Sequence, residues 1–202
     1  VDGTGVTVGV ISDSANRVGN GVADSIASGD LPPAPRTQVL IDGPAGSTDE
    51  GRAMMELIYD IAPGVNLRFA SGDGSEAAFA TAVNTLVAAG CNIIVDDLNK
   101  LTVEPYFQDG VASQAVSNAV AQNITYFASA GNRGQSGYET PFRGANGTVA
   151  GMNGRWHNFD GGGGTDLTQT ITLDTGTTQF IFQFDDPWNA ATRDVHFYLL
   201  DA

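Results

Sequence analysis

Apolar and polar positions along the first 150 residues follow two alternating periods. Val6, Val8 and Val10 with Ile11 form a short apolar run suited to a buried strand, and Thr37–Ile41 form a second. From Thr48 or Asp49 the spacing lengthens. Ala53, Met54, Leu57, Ile58 and Ile61 recur at helical intervals until Pro63-Gly64 stops the pattern. The same reading predicts a strand over residues 65–70, a helix over 75–89, a strand over 92–95, a helix over about 109–122 and a strand over 124–128. Helices between short apolar strands favour parallel pairing covered on both faces. Residues 1–154 are therefore expected to form an α/β domain around a doubly wound, mostly parallel sheet.

The texture changes near residues 144–165. Four glycines at 161–164 precede segments 170–173, 179–184 and 194–200, which alternate polar and apolar residues with turns between them. Residues 155–202 thus read as an antiparallel β unit. The glycine run reads as a connection, because no helix pattern follows it to offer an anion-binding amino terminus. The chain shows no internal repeat and no heptad pattern.

Charge narrows the field of functions. Nine basic against 23 acidic side chains give a net charge of −14, and Lys100 is the one lysine. Such a surface repels phosphate backbones and anionic lipid, and no basic patch offsets it, so neither nucleic acid nor membrane is an expected partner. No apolar run approaches the roughly 20 residues that span a bilayer. A single cysteine, Cys91, cannot staple the fold and is expected to pack as a small apolar side chain. Low lysine, 26 glycines and the acidic balance suit a secreted protein.

In open parallel sheets, ligands sit beyond the carboxyl ends of strands at a topological switch point. Asp13 closes the first strand, Asp96 and Asp97 close the strand after Cys91, and Gly131-Asn132 follow the last one. Glu50 opens the helix of the Met54 stripe and shares a face with Met54 at a spacing of four, which places it on the sheet-side rim. Three strand ends and one helix start can converge on one polar crevice. Each of these residues, taken singly, also fits a plain capping role.

Together they carry a family resemblance. The segment Gly5-Val-Thr-Val-Gly-Val-Ile-Ser-Asp13-Ser resembles the motif around the catalytic aspartate of subtilisin-like serine peptidases, and Ala128-Ser-Ala-Gly-Asn132-Arg-Gly resembles their oxyanion-asparagine motif. Asp49-Glu50-Gly51-Arg-Ala-Met with Asp60-Ile-Ala-Pro63-Gly resembles the helix that normally carries the histidine. The β unit resembles the jelly-roll-like insertions of larger bacterial members. The resemblance implies a subtilisin-like fold, Asp13, Glu50 and Asn132 as catalytic residues, and Asp96, Asp97 and Gly131 along the substrate cleft. It also implies a protein or peptide substrate.

Two departures shape the mechanism. Where the family has histidine stands Glu50, and the two histidines, His157 and His196, lie far downstream. A subtilisin-type triad uses imidazole to take the serine proton. Glu50 instead resembles the base of the sedolisins, acid-active relatives that also carry an aspartate four residues later, where this chain has Met54, and an aspartate where it has Asn132. The second departure is the nucleophile: no Gly-Thr-Ser triplet opens a helix, and the loop serine in Gly134-Gln-Ser136-Gly has the wrong order. The serine is expected on the remainder of the same polypeptide, and the 202-residue chain alone is expected to be inactive.

An unperturbed glutamate titrates about two units below imidazole. Asp13 beside Glu50 is expected to oppose this by sharing a proton with it, while the helix amino terminus favours the anion. No cofactor is implied, although Asp160, Asp166, Asp185, Asp186, Asp194 and Asp201 are of the type that holds calcium in β-unit loops. Gly3-Thr-Gly5 precedes the first strand, whereas a dinucleotide fingerprint follows it. The alternative to a peptidase is a catalytically inactive scaffold of the same fold that binds protein or glycan.

Overall fold

Alternation in the first strand, β1 (Thr7–Ile11), sends Val8 and Val10 to one face of a sheet and Ile11 to the other, and the rest of the first unit is built on that division. The computed structural model describes residues 1–99, 104–132, 134, 137–173, 175, 176 and 179–201. They form two units, one of Val1–Asn132 with Gln183–Ala191 and one of Arg133–Phe182 with Thr192–Ala202.

In the first unit the chain continues through α1 (Val22–Ser28), β2 (Thr37–Ile41), α2 (Glu50–Ile61), β3 (Asn66–Ala70), α3 (Glu76–Ala88), β4 (Ile93–Asp96), α4 (Val111–Ala121) and β5 (Thr125–Ala128). The five strands pair in parallel in the order β2-β3-β1-β4-β5. On one face Val8, Val10, Leu67 and Phe69 pack with Leu31 and Met55, backed by Val22 and Ile26 of α1. On the other, Ile11, Ala70 and Ile94 pack with Phe79, Val83, Leu86, Ala112 and Ala115 of α3 and α4. The connection from β1 therefore leaves on one face while those from β3 and β4, its two neighbours, leave on the other. The carboxyl end of β1 is the switch point of the sheet.

The strands and three longer helices of this unit lie within a few residues of their expected positions. The short helix α1 carries a weaker signal, an i,i+4 pair of Val22 and Ile26 closed by left-handed Gly29, whose N–H reaches the Ser25 and Ile26 carbonyls. The buried stripe of α2 differs from the expected one. Ala53 is exposed, and Leu57 and Ile61 are 64% and 83% exposed, whereas Gly51 and Met55 are buried and Met54 and Ile58 partly so. The cause is Gly51. A Cβ there would stand 2.2 Å from the Phe69 ring and 2.9 Å from the Ser14 carbonyl, so its absence lets the helix settle on that side. Each residue of offset turns the stripe by about 100°.

The second unit departs further from expectation. Its ladder is a hairpin of β6 (Gly144–Val149) and β7 (Met152–His157), turning through Ala150 and Gly151, both left-handed as a type I′ connection requires. The Trp156 indole donates to the Gly147 carbonyl at 3.1 Å across it. Segments 170–173, 179–184 and 194–200, expected as strands, form none among their described residues. Alternation marks a strand only where a partner and a core take up one face, and Ile171, Leu173 and Phe197 are about half exposed here. The sheet of this unit is antiparallel as expected, but among the described residues it has two strands where a jelly-roll-like unit was expected.

The packing of α2 yields a test. Met55→Ala is expected to cost about 3 kcal/mol in urea unfolding, as a buried methionine truncation does, and Leu57→Ala under about 0.5 kcal/mol, as an exposed one does. Equal costs would contradict the observed face.

Candidate functional site

Asp13 stands two residues past the end of β1, at the switch point, and each of its carboxylate oxygens accepts from the start of α2. Oδ1 accepts the Glu50 N–H at 2.9 Å and the Ser14 N–H at 2.5 Å; Oδ2 accepts the Thr48 N–H at 2.6 Å and the Thr48 hydroxyl at 2.7 Å. A helix leaves its first amides without internal partners. Asp13 supplies one from another element. The loop reaches it because Gly43 has no side chain, since a Cβ there would stand 1.9 Å from the Asp13 carbonyl oxygen. The Ser71 hydroxyl after β3 donates to that same carbonyl at 2.7 Å.

Burial by itself raises the Asp13 carboxyl. The Thr48 hydroxyl and the amides of Thr48, Ser14 and Glu50 outweigh it and hold Asp13 below the ordinary aspartate range. It is an anion at mildly acidic pH. The expected proton sharing between Asp13 and the Glu50 side chain is therefore corrected: Asp13 meets Glu50 through its backbone amide. The Glu50 carboxylate is exposed and makes no hydrogen bond among the described residues, so its residue lies at the mouth of the site rather than on the sheet-side rim.

Asp49 completes the junction. It is 3% exposed, left-handed at φ 61°, and accepts the Ser14 hydroxyl at 2.6 Å and the amides of Arg17 and Val18 at 2.7 and 2.9 Å. The Ser14 oxygen in turn accepts the Asp49 N–H at 2.9 Å. Burial again opposes ionisation, and these donors with the nearby Arg52 charge override it. Sequence reasoning passed over Ser14 and Asp49 as functional positions. Their signal was the run Ser12-Asp-Ser14 after a strand and Thr48-Asp-Glu50 at a helix start, two polar clusters that can satisfy each other.

Asp96, the last residue of β4, and Asp97, the next one, have different surroundings. Asp96 is 5% exposed, which leaves it without the access a substrate contact requires. Burial pushes its carboxyl up to about 6 and the charge of Asp97 adds to the rise. The nearby Tyr126 hydroxyl favours the anion, and it is buried with no hydrogen-bond partner among the described residues. Asp97 is partly buried and accepts the Ser12 hydroxyl at 3.0 Å on Oδ2. Ser12 belongs to the loop that carries Asp13, so Asp97 joins the switch-point crevice and Asp96 does not.

Gly131, left-handed at φ 71°, and Asn132 follow β5 at the same edge of the sheet, two strands from β1, and both are exposed. Beside the crevice, Ile41, Asp42, Pro44, Ser71, Asp73, Ala78 and Thr81 line an open hollow of about 210 Å³. That is below the roughly 300 Å³ at which ligand pockets begin and suits a single side chain.

The remaining candidates have structural surroundings. Cys91 is buried under α3 as expected, and burial pushes its thiol up to about 11. His157, in the second unit, accepts the Arg143 N–H on Nδ1 at 3.2 Å, and His196 pairs with Asp194 at 3.0 Å. Ser136 lies outside the described residues. Among the described residues no three His, Cys, Asp or Glu side chains gather as a metal-holding group, and no helix is long and apolar enough to cross a membrane. No protein-family model matches the chain, and no curated protein matches it.

The raised Asp96 carboxyl has a consequence for stability. Its proton is held more tightly in the folded than in the unfolded chain, so its ionisation destabilises the fold as pH rises from about 4 to about 6. Asp96→Asn removes that loss. The variant is expected to gain up to about 3 kcal/mol relative to wild type between pH 4 and pH 7, measured by denaturant unfolding at both; a pH-independent difference would contradict the assignment.

Proposed function

We propose that the chain is part of a secreted serine-carboxyl endopeptidase with a subtilisin-like catalytic core. Glu50 acts as general base toward a serine hydroxyl and then as general acid toward the leaving amine, while the Asn132 amide stabilises the tetrahedral oxyanion. Asp13 orients Glu50 through its backbone. The nucleophilic serine comes from polypeptide outside these residues.

The observation that carries this reading is the clamp of Asp13 on the first turn of α2 at the switch point of the sheet. It fixes the helix start that bears Glu50 while leaving the Glu50 carboxylate exposed and uncommitted. A base must be held and yet remain available to its substrate. The hollow beside Asp13 suits one substrate side chain.

A second reading, an inactive scaffold that binds protein or glycan, draws on a different observation. Asp13 is saturated by donors of its own chain, as a purely structural cap would be, and the second unit exposes Tyr138 and Phe142.

Labelling of the complete protein by an active-site serine phosphonate at pH 4 and pH 7 separates the two. The peptidase reading predicts labelling that falls at least 100-fold in Glu50→Ala, within the range that general-base removal costs. Unchanged labelling in the variant sinks the role of Glu50, and no labelling in wild type favours the scaffold.

A further inference from the structure

The crevice at the end of β1 holds two carboxyl groups whose surroundings differ sharply. Asp13 receives four donors. Asp97 receives one from another residue, the Ser12 hydroxyl on Oδ2, and its Oδ1 is buried with no hydrogen-bond partner among the described residues. Ser12 is itself fully buried. The charge bearing on Asp97 is that of Asp13 across from it, Asp96 stands beside it, and among the described residues Asp97 forms no ion pair.

We propose that Asp97 is a positioning residue of the proposed peptidase site: a neutral carboxylic acid, tied to β1 through Ser12, that keeps a second anion from facing Asp13 between the ends of β1 and β4. This rests on the peptidase reading and adds a residue to it. A buried carboxylate oxygen without a donor is costly as an anion and tolerable as half of a protonated carboxyl. Two carboxylates in one crevice resist joint ionisation, and the four donors settle which of them carries the charge. Burial and the Asp13 charge both raise the Asp97 carboxyl, in keeping with this geometry. The step is a simple proton loss. Above the acidic range Asp97 releases its proton to solvent, a second charge faces Asp13, and Oδ1 requires water. The ends of β1 and β4 must then separate, which displaces Asp13 and the α2 start that depends on it.

Carbon-13 carboxyl titration of the 202-residue chain tests the ionisation directly. Asp97 is expected to titrate at least one unit above Asp13, to move down in Asp13→Asn, and to move up in Ser12→Ala, where it loses its donor. Asp97 ionised at pH 4, or indifferent to Asp13→Asn, overturns the proposal. In the complete protein the ratio of kcat/KM at pH 7.5 to that at pH 4.5 is expected to rise at least threefold in Asp97→Asn, which cannot ionise. An unchanged ratio overturns the positioning role. A complete wild-type protein without peptidase activity overturns the proposed function instead, and the carboxyl titration then still decides whether Asp97 is the neutral partner.

Discussion

The carboxylate of Asp13 is the constraint on which the rest of the site depends. It closes β1 and at the same time accepts the free amides at the start of α2, so one side chain fixes the distance between a central strand and a helix on its face. Hydrogen bonds to a charged acceptor are roughly twice as strong as neutral ones, and four of them converge here. Remove them and the first turn of α2 loses its partner for the Glu50 amide, while Gly43 loses the reason for its close approach to Asp13. Asp49 and Ser14 form a second set of bonds across the same junction, which makes it a small buried network rather than one contact.

That network decides what each carboxyl can do. Asp13 and Asp49 are held as anions by their donors, and Asp96 is driven toward neutrality by burial. Glu50 stands apart from all of them at the mouth. A cluster of acidic residues that looks uniform in sequence is thus sorted into fixed charges, a neutral group and a free group by the donors within reach of each.

Much of the first unit was legible in the sequence. Its strands are short apolar runs and its longer helices have long periodic ones, so period and turn residues suffice to order them, and the convergence of strand ends follows from parallel topology. The site was legible less far. Asp13 and Glu50 were singled out, but their relation was expected to run side chain to side chain, because sequence shows which groups are near and not which donors saturate them. The face of α2 was misplaced by one residue because Gly51 acts by lacking a side chain, which a hydrophobic count cannot register. The β6–β7 hairpin was missed for a related reason: Gly144, Gly147 and Gly154 dilute its alternation, while the tail segments alternate yet form no strand among their described residues.

The hold of Asp13 on the start of α2 is tested most directly by amide hydrogen exchange at Thr48 and Glu50 in wild type and Asp13→Ala, with α3 amides as the internal reference. Both amides are expected to be protected in wild type and to lose at least tenfold of that protection in the variant, while α3 is unchanged. Equal protection of Thr48 and Glu50 in the two proteins would contradict it, for the helix start would then be held by something other than Asp13.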